Sequence, residues 1–189
     1  MKSSADNPSN TTAQAGAPLE WTGERYVPWI PDPAIAYEHL HRYAFAARLA
    51  AGKQVLDLAS GEGYGANILA AVASRVVGID IDENAVGHAR GRYRRDNLDF
   101  VSGSVTDVPL KPEHAFDLVV CFEAIEHIAE QQKLVSEAHR MLKPDGIFVV
   151  STPNKHRYQG RDEHCEENPF HVREVEFDEF RALLAEYFS

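Results

Sequence analysis

The sequence predicts a doubly wound, mostly parallel α/β sheet in a single domain. Three observations predict it. Short apolar runs alternate with helical segments along the chain, from Gln54 to Tyr187. Those runs are near-continuous Val, Ile, Leu and Phe, the pattern of strands buried on both faces. The first run passes straight into a glycine loop, "VLDLASGEGYGA" over Val55–Ala66. Such sheets hold their ligands just there, beyond the carboxyl ends of the strands.

Each element follows in order. Residues 1–18 are small and polar with no apolar stretch of the kind a signal peptide has, so a disordered tail is expected. Residues 19–52 are expected to form an arm and a cap helix. Pro28, Pro31 and Pro33 keep the arm extended, and Trp21, Tyr26 and Trp29 make it aromatic. A helix over 34–50 follows, with Ile35, Leu40, Tyr43 and Ala47 near one face. The domain proper spans 53–189. Its expected strands are Gln54–Leu58, Arg75–Asp80, Asp99–Val101, Phe116–Cys121 and Ile147–Ser151, and its helices are Tyr64–Val72, Glu83–Arg94, Ala129–Leu142 and Phe177–Tyr187. No internal repeat is visible.

Composition narrows the function. The 189 residues include 29 acidic and 19 basic ones, a formal charge of −10. Such a surface repels phosphate backbones, which argues against nucleic acid as a partner. The local cluster of Arg90, Arg92, Arg94 and Arg95 reads as the solvated end of a helix. No apolar run approaches the length of a membrane span, roughly 20 residues. The two cysteines, Cys121 and Cys165, offer neither a disulfide framework nor zinc spacing and fit a reducing cytoplasm.

The glycine loop is ambiguous by itself. Gly61, Gly63 and Ala66 fit the G-x-G-x-x-A of a dinucleotide fold, while Gly61, Gly63 and Gly65 fit G-x-G-x-G. Its neighbours sharpen the reading. Asp57 lies four residues before Gly61, where a carboxylate suits a ligand's ammonium group and would oppose a pyrophosphate. Asp80 ends the second strand, where an acid accepts both hydroxyls of a ribose. With FDLVVCFEAIEH and MLKPDGIFVVSTPN, the chain resembles the class I S-adenosylmethionine-dependent methyltransferases, which have a Rossmann-like fold. TGERYVP, EHLHRY, ASGEGYGA and NPFHVREVEF resemble, more narrowly, the bacterial group found with glycosyltransferases in polysaccharide biosynthesis.

The resemblance implies a cofactor, S-adenosylmethionine, and a set of contacts. Ala59, Ser60, Gly61, Gly63 and Tyr64 would lie under its amino-acid part, and small residues there let the backbone approach closely. Asp57 would take the ammonium, and Asp80 the ribose. Ile81 would pack on the adenine, with Ser104 and the Val105 amide at its edge. The family often has an acid where Ser104 stands. Arg42 and Tyr43 would reach the cofactor carboxylate, Tyr26 and the other arm aromatics would close over the sulfonium, and Phe122 would line the cleft.

Methyl transfer is an in-line displacement that needs alignment and exclusion of water. A sugar hydroxyl also needs a base, for which His127 and Glu123 after the fourth strand are the candidates. Glu123, Glu126 and His127 further resemble the E-x-x-E-H that binds Mg²⁺ in ubiquinone-pathway and small-RNA methyltransferases, with His171 as a further ligand. Ordinary Glu–His hydrogen bonding is the plainer reading, and the metal stays open. The polar stretch Asn154–Glu176, with His156, His164 and His171, is expected to be a substrate lid.

The expected function is O-methylation of a sugar or glycan intermediate. The alternatives are a secondary-metabolite or quinone O/N-methyltransferase, a nicotinamide oxidoreductase (disfavoured by Asp57) and a non-catalytic cofactor-binding module attached to a glycosyltransferase. Strands six and seven of the family fold are missing from the pattern. This leaves Ile147–Ser151 at an open edge that a fused domain or a second copy is expected to cover.

Overall fold

Five apolar runs do become strands, and all of them are parallel. In the computed structural model, which describes residues 27–29, 33–154 and 169–189, β1 is Gln54–Leu58, β2 Arg75–Asp80, β3 Leu98–Ser102, β4 Phe116–Phe122 and β5 Leu142–Ser151. The helices are α1 (Pro33–Ala50), α2 (Tyr64–Ala70), α3 (Glu83–Arg92), α4 (Gln131–Met141) and α5 (Phe177–Ala185). The sheet order is β3-β2-β1-β4-β5. The chain therefore winds outward from β1 through β3, then returns to lay β4 on the other side of β1. A crevice opens where the winding reverses, at the carboxyl ends of β1 and β4.

Alternation along the strands divides the core in two. Val55, Leu118, Val120 and Phe122 pack with Tyr43, Leu69, Val86 and Ala89 from α1, α2 and α3. Leu56, Leu58, Val119 and Cys121 pack on the opposite face with Leu134, Val135, Ala138 and Met141 of α4. A side-chain period of two sends neighbours to opposite faces, so runs buried on both faces must be apolar throughout. Cys121 is fully buried, and burial pushes its thiol up, so it is a core residue and not a nucleophile.

Most elements end within one or two residues of the sequence reading, and two of the differences have a clear cause. The expected helix from Ala129 begins at Gln131, and Ile125–His127 form a separate 3-10 turn. The cause is buried Gln131, whose amide donates to the carbonyls of Ile125 (3.0 Å) and Arg173 (2.8 Å) and so holds the preceding loop apart. The last strand begins at Leu142, five residues before the expected Ile147. Leu142 pairs with Phe116 and Ile147 with Leu118, so the intervening residues bulge out of the ladder. Asp145 takes φ 63° inside that bulge. The other edge of β5 pairs with no strand among the described residues. Residues 1–18, Trp21, Tyr26, His156, His164 and Cys165 lie outside the described residues.

Candidate active site at the carboxyl ends of β1, β2 and β4

The glycine loop turns on left-handed backbone. Ala59 (φ 59°), Gly61 (φ 55°) and Gly63 (φ 95°) all take it. At Gly63 nothing larger fits, because a Cβ would stand 2.8 Å from Ala89 and Phe100. The loop's main chain is then fastened to the second strand: the Ser60 amide donates to the Ile79 carbonyl (2.8 Å), and the Gly61 amide to the Asp80 carboxylate (2.7 Å).

Asp80 sits at the rim of this cradle, 7% exposed, and its other oxygen accepts from the Asp82 amide (3.0 Å). The two amides hold the Asp80 carboxylate in place. Ile81 beside it is 75% exposed, an apolar shelf at the mouth of the cleft. Across β3, Ser104 shares its hydroxyl with Thr106 (2.8 Å) and accepts from the Thr106 amide (3.1 Å). The Val105 side chain is buried in the α4-side core.

Asp57 differs from expectation. It is completely buried, and the Tyr43 hydroxyl of α1 donates to both its oxygens (3.1 and 3.2 Å). Burial pushes its carboxyl up to about 8, with the Asp80 charge adding to the rise. In this arrangement Asp57 links β1 to α1 through the Tyr43 hydroxyl, and it caps no helix. Tyr43 is drawn inward with it. The Tyr64 and Phe122 rings pack edge-on to Tyr43, at 5.3 and 5.1 Å, and the Tyr64 hydroxyl bonds His39 (2.9 Å). Tyr43, Tyr64 and Phe122 thus build the floor beneath the cleft.

The segment after β4 brings the acid–base groups together. Glu123, in left-handed backbone at φ 48°, accepts from the Ser151 hydroxyl (2.6 Å) and pairs with Arg42 (3.1 Å). Arg42 keeps its other terminal nitrogen, Nη1, buried without a hydrogen-bond partner. That orphan donor fits a ligand carboxylate, which is what the sequence assigns to Arg42. Glu126 is 1% exposed and accepts from the Thr152 hydroxyl (3.0 Å). Burial pushes its carboxyl up, with Glu123 adding to the effect.

Ligand atoms of Glu126, His127 and His171 all lie within 4.8 Å of one another. His127 donates from Nδ1 to the Phe170 carbonyl (2.9 Å), and His171 Nδ1 meets Glu174 (2.6 Å). Three of the four expected groups therefore converge. Glu123 is turned instead to Ser151 and Arg42.

Sequence reasoning missed Glu62. Between two glycines it reads as a loop-tip charge, yet it is fully buried against His88 (2.9 Å) and the Tyr93 hydroxyl (2.7 Å). The signal was the four-residue spacing of His88 and Arg92, which puts both on one face of α3. Of the expected arm, Val27–Trp29 fall among the described residues, and the Trp29 ring packs at a tilt against His88 on α3, ring centroids 5.4 Å apart.

Comparisons with known proteins bear on the family and the fold. The family described as methyltransferase domain matches residues 56–150. A probable S-adenosylmethionine-dependent methyltransferase of Mycolicibacterium smegmatis is 42% identical over 180 residues, 94% of this chain and 67% of its own length. A ubiquinone biosynthesis O-methyltransferase of Thiobacillus denitrificans is 32% identical over 133 residues, 66% of this chain and 57% of its own. The crystal structure of the YcgJ protein of Bacillus subtilis superposes with a TM-score of 0.67 at 26% identity, covering 79% of this chain and 68% of that one. The chain spans about two thirds, or less, of the length of the curated relatives it matches.

Proposed function

Because this chain belongs to the S-adenosylmethionine-dependent methyltransferases, we propose that it moves the methyl group of that cofactor to an oxygen of a sugar or glycan intermediate. The observation that carries the reading is the polar mouth after β4, where Glu126, His127 and His171 converge within 4.8 Å. Hydroxyl-rich acceptors suit such a lining, and an O-methyltransferase among the relatives supports oxygen as the atom methylated.

The cofactor supplies an electrophilic methyl on a sulfonium. The chain's own residues do the rest. Asp80 receives the ribose hydroxyls, Ile81 packs on the adenine, and Ser104 and the Val105 amide meet its edge. Arg42 turns its orphan Nη1 to the cofactor carboxylate, beside the small residues of the Ala59–Gly63 loop. His127 acts as the base. Its Nδ1 proton is committed to the Phe170 carbonyl, so Nε2 is the nitrogen that takes the acceptor's proton. The proton passes to Nε2 as the oxygen attacks.

A second reading shares the same three groups. Two imidazoles and a carboxylate suit a divalent cation that orients vicinal hydroxyls. Both rings have Nδ1 held by a neighbouring oxygen, the outer-shell arrangement that steers Nε2 toward a metal. The edge of β5 that pairs with no strand among the described residues is where a fused domain or a second copy would pair.

Mass spectrometry after incubating nucleotide-sugars, glycans and quinols with deuteromethyl-labelled cofactor tests the assignment. A mass gain on a sugar hydroxyl supports it, whereas a gain only on quinols favours the alternative. Repeating the assay after chelation and with added Mg²⁺ or Mn²⁺ separates base from metal.

A further inference from the structure

We propose that Glu62 couples the Trp29 segment to the cofactor loop, so that seating of that segment on α3 and binding of S-adenosylmethionine strengthen one another. The proposal rests on the reading that the Gly61–Gly63 loop holds this cofactor.

Glu62 is the residue between the loop's two left-handed glycines, and its side chain is fully buried. A buried carboxylate is tolerable only while its donors stay in place. All of them come from α3 and its end. Tyr93 donates its hydroxyl at 2.7 and 3.1 Å to the two oxygens, His88 Nε2 lies at 2.9 Å, and Arg92 Nε at 3.4 Å.

Two of these same donors hold the arm. The Trp29 ring packs at a tilt against His88, centroids 5.4 Å apart, and the Arg92 guanidinium lies over the Trp29 ring at 5.1 Å. Two residues earlier, Val27 is 0% exposed, so the segment is seated in the protein and not laid along its surface. Trp29 thus reaches the Glu62 carboxylate by two routes, each one residue long.

On the other side the chain of contacts continues to the cleft. The amide of Gly61, next to Glu62, donates to Asp80 at 2.7 Å, the carboxylate assigned to the ribose. Lifting Trp29 frees His88 and Arg92 to move, loosens the Glu62 cage and so loosens the loop that positions Asp80. Linkage makes the effect reciprocal: whatever the segment adds to cofactor affinity, the cofactor adds to seating of the segment, with couplings of about 5- to 150-fold being typical. Glu62 is in these terms a positioning residue; it acts through Gly61 and touches no reacting atom.

The test is a double-mutant cycle on S-adenosylhomocysteine affinity, by calorimetry, with wild type, Trp29→Leu, Glu62→Gln and the double variant. Each single change should weaken binding about tenfold, and the double should be no weaker than Glu62→Gln alone. In a Trp21→Phe protein, where Trp29 is the remaining one of two tryptophans, the ligand should shift the indole emission. Tyr93→Phe and His88→Gln serve in place of Glu62→Gln if that variant fails to fold. Multiplying effects in the double variant, or wild-type affinity in Trp29→Leu, overturns the coupling. Absence of binding in the wild type overturns the cofactor reading, and the coupling with it.

Discussion

Replacing Asp57 by Asn should make the protein more stable at neutral pH, although Asp57 is the acid of the sequence motif. The side chain is fully buried, and its carboxyl is pushed up to about 8 from an ordinary value of 3.8. An acid raised on folding binds more protons in the native state than in the unfolded one throughout that window. Stability from this group is therefore full below about pH 4 and falls as pH rises toward 8, by about 1.4 kcal/mol per unit. From pH 5 to pH 7 the wild type should lose stability on the order of 2–3 kcal/mol that Asp57→Asn keeps, since the amide has nearly the same shape and still accepts from Tyr43. Urea unfolding at several pH values measures this directly. Parallel stability curves for the two proteins between pH 5 and 7 would refute the reasoning, and would mean that Asp57 is ionised in the fold.

Gly65→Ala should destabilise by about 1–3 kcal/mol, the opposite sign to the helix-propensity gain of about 1 kcal/mol; a Cβ there would stand 2.0 Å from the Tyr43 ring, and thermal melts read the outcome. His127→Ala should lower turnover by roughly 10²-fold while leaving S-adenosylhomocysteine affinity unchanged, as single-turnover rates and calorimetry will show; full activity in this variant removes both the base and the metal roles. Light scattering at rising concentration should detect association through the β5 edge, which pairs with no strand among the described residues, and a strict monomer at all concentrations counts against pairing with a second copy.

The strands were legible because burial on both faces demands contiguous apolar residues, and β1 and β2 span the expected Gln54–Leu58 and Arg75–Asp80. The position of Asp80 was legible for a related reason: it ends the apolar run of β2, at the carboxyl end of the sheet. Side-chain direction inside the loops was not legible. It depends on left-handed backbone at Ala59 and Glu123, non-glycine residues whose sequence gives no warning of it. That geometry accompanies the turn of Glu123 toward Arg42 and Ser151 and leaves Glu126 to join the two histidines. The inward pull on Asp57 was hidden too, because it is exerted by Tyr43 from α1, and the cap helix was read as an outer cover.

The central claim is that this cleft holds S-adenosylmethionine by the Asp80 carboxylate, and one titration tests it. Calorimetry of wild type and Asp80→Ala with S-adenosylhomocysteine, and with a nicotinamide dinucleotide as control, should give micromolar-range binding of the first ligand to wild type, about −8 kcal/mol. Much of that should vanish in Asp80→Ala, and the dinucleotide should not bind. Tight dinucleotide binding, or an Asp80→Ala protein that binds S-adenosylhomocysteine as wild type does, would contradict the account.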